Sequence, residues 1–199
     1  MVYQPPLFAP AAPRFDPTFR GLERHALTEG AWVERLPGWL VGEGALFTAL
    51  EASTAWRAER RVMYEREVAV PRLTATLPED GPGHPVVTAM GQALVARYGA
   101  PLRHVSLALY RDGADSVAFH GDRGRAALPG ALTVSVSLGA PRRLLLRPAR
   151  GGASVRFELG GGDLFVMGGT CQQTWQHGIP KVARAGPRLV VLYWMGAGV

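Results

Sequence analysis

The sequence is short of cysteine, of long apolar runs and of blocks of like charge, and each shortage excludes something. With one cysteine, Cys171, in 199 residues, the chain can form no internal disulfide, which suits a reducing cytoplasm. No apolar run approaches the roughly 20 residues that span a bilayer, so no membrane partner is expected. The first residues, Met1 to Leu7, lack the basic-then-apolar pattern of a secretory signal. There is no internal repeat and no low-complexity tract, so a single domain is expected, with a monomer as the default state.

What the chain does contain is glycine, at 25 residues, and proline, at 16. That composition favours a loop-rich β architecture over a helical bundle. An apolar share of 47% is ordinary for a globular protein and sufficient for a core. The formal net charge of +6 suits a polyanionic partner such as nucleic acid. It fits equally an arginine-rich composition, because the basic residues are scattered.

Taken in order, residues 1–38 predict an irregular arm with apolar anchors at Phe8, Phe15, Trp32 and Leu36. Leu46, Phe47 and Leu50 recur at helical spacing within Gly42–Ala55. Arg61–Val70 reads as a strand, and Pro71–Gly83 is too rich in proline and glycine to be regular, which predicts a surface loop suited to a lid. Pro85 opens a helix that Gly99 stops. From His104 the period becomes alternating: Val105, Leu107 and Leu109 fall on one face, His104, Ser106, Ala108 and Tyr110 on the other. Strands are predicted again at Leu132–Leu138, Arg143–Arg147, Val155–Leu159, Asp163–Met167, Cys171–Trp175 and Arg188–Trp194. The expected architecture is mainly β with flanking helices (α+β), a sandwich or jelly roll. An arm and helix over residues 1–60 would pack on a core over 61–199.

The chemistry concentrates in Tyr110–Asp122, which ends in His120-Gly121-Asp122, and in a second histidine, His177. Two imidazoles and a carboxylate on one side of a metal leave other positions open, the arrangement of non-haem Fe(II) oxygenases. Residues two apart at a strand end share a face, which would place His120 and Asp122 together. The same pair fits a loop histidine hydrogen-bonded to a carboxylate, and His177 fits a core or surface histidine beside Trp175. Arg188 opens the last strand. If positions 188, 190, 192 and 194 face inward, it is a buried cation in need of an anion; an arginine in water at a strand edge fits as well.

Leu109–Arg123, Val136–Gly139, Gly162–Lys181 and Gly186–Arg188 together resemble the AlkB family of Fe(II)- and 2-oxoglutarate-dependent dioxygenases. The likeness runs from about Arg61 to Trp194, and it implies a double-stranded β-helix. Val70–Ala75 resembles the family's nucleotide-recognition lid, which would occupy residues 62–83. The resemblance makes His120, Asp122 and His177 iron ligands. Tyr110 would hydrogen-bond 2-oxoglutarate and Arg188 would pair with its distal carboxylate, with O2 as the oxidant. The implied reaction is oxidative demethylation of alkylated bases in DNA or RNA, as in DNA repair, with Arg72, Arg123, Phe119 and Trp194 meeting the substrate. Other implied readings are an oxygenase acting on a protein or small molecule, and a non-catalytic nucleic-acid-binding relic of the fold. The chain departs from the family pattern at three positions. Ala108 stands where the family has asparagine, Trp194 where it has a second arginine, and Thr76 where the lid has an aromatic residue. Loss of that arginine removes a charge-assisted contact of about 1.5–3 kcal/mol.

Overall fold

A computed structural model describes residues 11–63, 66–77, 83–122 and 130–196. Phe8, Arg123 and the Pro78–Pro82 part of the expected lid lie outside them. The described strands are β1 (Arg14–Phe15), β2 (Glu23–Ala26), β3 (Ala31–Leu36), β4 (Leu40–Val41), β5 (Arg57–Met63), β6 (Arg66–Thr76), β7 (Leu102–Tyr110), β8 (Val117–His120), β9 (Leu132–Gly139), β10 (Arg142–Pro148), β11 (Val155–Leu159), β12 (Leu164–Gly169), β13 (Trp175–Ile179) and β14 (Arg188–Met195). The helices are α1 (Glu43–Ser53), α2 (Pro85–Tyr98) and the single turn α3 (Cys171–Thr174).

Eight strands form a large sheet in the order β2-β3-β12-β9-β14-β7-β6-β5, and four form a smaller one in the order β11-β10-β13-β8. The pairings within both are antiparallel. Strand alternation splits the side chains of the large sheet between two cores. Leu107, Leu109, Val134, Val136, Leu189, Val191 and Tyr193 pack under Leu46 and Leu50 of α1 and Val87, Met90 and Leu94 of α2. Ala108, Tyr110 and Val190 point the other way, onto Leu144, Leu146, Phe157, Leu159 and Ile179 of the small sheet. The order of layers is helices, large sheet, small sheet, and the expected jelly roll is what forms.

The longer helix, α2, begins and ends where its chemistry dictates. The His84 side chain accepts the Val86 N–H ahead of Pro85, and Gly99 closes α2 at φ +62°, where a side chain would be strained. Gly91 lets α2 lie against the Tyr193 ring, and the Tyr193 hydroxyl donates to the Val87 carbonyl at 2.8 Å.

Several sequence expectations are corrected, among them the single strand expected over Arg61–Val70, which is two antiparallel strands, β5 and β6. Residues 23–26 and 31–36 of the supposed irregular arm are strands, and β3 pairs with β12 along its whole length, Ala31↔Gly169 to Leu36↔Leu164. Their pattern hides the strand because Glu34 is buried, where Arg24 and the Tyr98 hydroxyl bond its carboxylate. The supposed loop from Pro71 is strand up to Thr76, with Leu73 to Thr76 paired to β7. Proline is tolerated because the β5–β6 register slips between Ala58↔Leu73 and Arg60↔Ala69, so no ladder N–H is needed at Pro71. Lastly, Cys171–Thr174 is a helical turn, and the strand begins at Trp175.

The Tyr98–Glu34 bond, at 2.6 Å, ties α2 to β3 across the edge of the helical layer. Tyr98→Phe should lower the unfolding free energy by about 1–2 kcal/mol. Denaturant unfolding of the two chains checks this.

Candidate metal centre

The site is assembled on the small sheet. In the β13–β8 pair His177 lies directly opposite His120, so both imidazoles stand on the face turned towards the large sheet. Their ring centroids are 4.3 Å apart. Asp122 follows β8 by two residues, and its Oδ1 is 3.9 Å from Nε2 of each histidine. One ligand atom from each residue falls within 4.8 Å of the others. Gly121 between them is required by space: a Cβ there would stand 2.9 Å from the Gln172 carbonyl oxygen.

Hydrogen bonds and burial act on each of the three donors. His120 Nδ1 lies 2.9 Å from the Ala118 carbonyl, which places the proton on Nδ1 and leaves Nε2 free. Burial, reinforced by the charges of His120 and Arg72, pulls the His177 imidazole down to about 3, so it is neutral at physiological pH. Burial also raises the Asp122 carboxyl above the usual range. Thr133 donates to Asp122 Oδ2 at 3.0 Å, and Gln172 accepts the Asp122 N–H while its amide donates to the Thr133 hydroxyl. Two imidazoles and a buried carboxyl group on one side of a void fit a divalent transition metal with open positions. Neither Thr133 nor Gln172 stands out in the sequence, since neither residue type marks a metal site. Cys171, also nearby, is buried and its thiol is pushed up to about 12, which removes it as a nucleophile or ligand.

The void is a cavity between the sheets, lined by the triad with Arg72, Tyr110, Arg188 and Trp194 and by apolar side chains that include Val190 and Leu192. Positions 188, 190, 192 and 194 of β14 therefore all face inward. Arg188 is buried and pairs in register with Tyr110 on β7. One of its terminal nitrogens donates to Ser137 Oγ at 2.9 Å, while its Nε has no partner. Among the described residues no carboxylate forms an ion pair with it. Burial lowers its guanidinium to about 10, so it keeps its charge at neutral pH. A buried cation short of acceptors beside a void is a receptor for an anion.

Trp194 stands about 20 Å along the strand from Arg188 by the ordinary strand rise. It is opposite Thr133, its indole N–H donates to Ser106, and its ring stacks on His104 with centroids 5.5 Å apart. Ala108 adds only apolar wall. Phe119, expected to meet substrate, does not line the cavity: the Arg147 guanidinium covers its ring at 4.0 Å. Thr76 is exposed at the end of β6.

A further arginine, unmarked in the sequence, stabilises the walls. Arg142 is buried and donates to the carbonyls of Asp112, Asp115 and Pro180, tying the loop before β8 to the end of β13. Within that loop Asp115 accepts the backbone N–H and two guanidinium nitrogens of Arg111, each at 2.8 Å.

The residues match known proteins as well as each other. A family model described as the 2OG-Fe(II) oxygenase superfamily matches residues 47–192. The chain is 28% identical over 137 residues, 64% of its length and 45% of the relative's, to human alpha-ketoglutarate-dependent dioxygenase alkB homolog 3. It is 33% identical over 90 residues, 41% of its length and 34% of the relative's, to human DNA oxidative demethylase ALKBH2. The chain thus spans less than half the length of these curated relatives. In fold it is similar to a prolyl hydroxylase from Trichoplax adhaerens solved with a hypoxia inducible factor peptide. The TM-score is 0.63 at 12% identity, covering 85% of this chain and 84% of that one. It is also similar to OsALKBH1, with TM-score 0.60 at 15% identity and 86% and 99% coverage.

Two outcomes follow from the geometry. Thr133→Val removes the donor that orients Asp122 and should weaken Mn(II) binding by about ten-fold or more, measured by titration calorimetry. The Asp115 carboxyl is held below the usual range, chiefly by hydrogen bonds from Arg111. Its stabilisation is therefore present above the ordinary carboxylate pKa of about 4 and fades as pH falls through the lowered value. Asp115→Asn should be less stable than the parent at pH 7, and the gap should shrink as denaturation is repeated at successively lower pH.

Proposed function

The chain belongs to the 2OG-Fe(II) oxygenase superfamily, and on that premise we propose that it oxidatively demethylates alkylated bases of DNA or RNA. It would use Fe(II), 2-oxoglutarate and O2. The observation that carries the proposal is the cavity itself, with three metal donors on one wall, a buried arginine at one end and a fixed indole beyond the metal. The relative named as a DNA oxidative demethylase supports a nucleic-acid substrate, as does the net charge of +6.

His120, Asp122 and His177 would hold the iron. Bound there, the metal supplies the coupling of 2-oxoglutarate decarboxylation to hydroxylation of an N-methyl group, which then leaves as formaldehyde. The protein's own part is placement. Arg188 receives the distal carboxylate of 2-oxoglutarate, and Tyr110, packed against that guanidinium at 5.4 Å from ring centre, sets the co-substrate's direction. Thr133 and Gln172 keep Asp122 from rotating away. Val190, Leu192, Leu144, Leu159 and Ile179 keep water from the reacting carbon. A methylated base must leave its stack to reach this point, and Trp194, braced by Ser106 and His104, offers a flat face to receive it.

The test is release of formaldehyde from a single-stranded oligonucleotide carrying N-methylated adenine or cytosine, with Fe(II) and 2-oxoglutarate supplied. The native chain should release it, and His177→Ala should fall at least 100-fold. Turnover of 2-oxoglutarate without formaldehyde would move the substrate to a protein or small molecule. No turnover above an Asp122→Ala control would leave a nucleic-acid-binding relic.

A further inference from the structure

We infer that Arg72 is the second cation of the co-substrate site, supplied from β6 because β14 offers only Trp194 beyond the metal. This rests on the reading of the cavity as a 2-oxoglutarate site.

Arg72 lines the same cavity as the three metal donors and Arg188. Its strand pairs with β7 from Leu73↔Leu109 onward, which sets Arg72 beside Tyr110, and Tyr110 in turn pairs with Arg188. Three neighbouring strands thus bring Arg72, Tyr110 and Arg188 into one row. Arg72 Nη1 donates to the Tyr110 hydroxyl at 3.1 Å, and its Nε is buried with no partner. The guanidinium carbons of Arg72 and Arg188 lie 6.0 and 5.4 Å from the centre of the Tyr110 ring.

The two arginines are not equivalent. Arg188 is rooted at the start of β14, beside the Ser137 hydroxyl. Arg72 is fixed at the tip of the tyrosine, two strands across from Arg188, and lines the cavity together with His120, Asp122 and His177. A small dicarboxylate laid along Tyr110 would meet one guanidinium at each end, with the phenol between them. Trp194 cannot substitute for Arg72: its N–H is already given to Ser106, and it carries no charge. Two cations lining one cavity repel each other, and an anion that bridges them relieves the repulsion at both. A monocarboxylate would satisfy only one. The competing role for Arg72 is a contact to the phosphate or base of the substrate, which would leave co-substrate affinity untouched.

The deciding measurement is titration calorimetry of 2-oxoglutarate into the full chain loaded with Mn(II), without nucleic acid. R72M should raise the 2-oxoglutarate Kd ten-fold or more, the loss expected for a charge-assisted contact, with Mn(II) affinity within two-fold of native. A 2-oxoglutarate Kd within two-fold of native, with any defect confined to binding of a methylated oligonucleotide, overturns the inference. R72Q keeps a polar group near the Tyr110 hydroxyl and carries the same two thresholds if R72M does not fold. Binding by the native chain separates this result from the wider reading: if native protein binds no 2-oxoglutarate, both fall. If native binds and R72M binds equally, only the role of Arg72 falls.

Discussion

The pairing of β13 with β8 sets the geometry on which the rest depends. Because His177 and His120 are cross-strand partners, their separation is fixed by a backbone ladder and not by side-chain packing alone. A slip of one residue would turn one imidazole to the opposite face of the sheet. The third donor, Asp122, lies beyond the ladder and needs other support, which Thr133 on the large sheet and Gln172 on α3 provide. The metal centre is thus a joint between the two sheets, with two donors from one and the orientation of the third from the other.

Around this joint the chain gathers positive charge in a place where it is unfavourable. Arg188, Arg142 and Arg72 all face the Tyr110 ring, and each has a buried Nε without a partner. Arg142 offsets much of its burial through three carbonyls. Arg188 and Arg72 do so less completely, and both line the void. Both guanidinium groups are thus held at the cavity wall with a nitrogen that no protein acceptor meets.

Much of this was legible in the sequence, and what was not has physical reasons. The His-x-Asp pair, the distal histidine and Arg188, which the fold brings to one cavity, could be singled out because a histidine spaced two residues from a carboxylate and an arginine on an apolar strand are uncommon residue choices. Strand alternation located β7, β9 and β14, and of the two settings it left open for Arg188, inward with 190, 192 and 194 or in water at a strand edge, the structure shows the first. It failed at β3, where a buried glutamate interrupts the apolar pattern, because its partners Arg24 and Tyr98 come from other parts of the chain. It failed at β6, where Pro71 looked like a breaker and is accommodated at a register shift. Phe119 and Trp194 were indistinguishable as aromatic candidates, and only the side of the sheet on which each falls separates them. Thr133 and Gln172 left no mark at all, since a threonine on a strand and a glutamine in a turn are commonplace until the fold brings them to a carboxylate.

The division of β14 into two faces also shapes how the protein can be altered. Leu189, Val191 and Tyr193 belong to the core beneath the helices, whereas Val190, Leu192 and Trp194 belong to the cavity. Neighbouring positions in the chain thus answer to separate demands, one for folding and one for what the cavity admits. Natural drift or a combinatorial library confined to the cavity-facing positions could reshape the chamber while the helix-backed face keeps the scaffold intact. One strand in this fold can change its chemistry and its architecture independently.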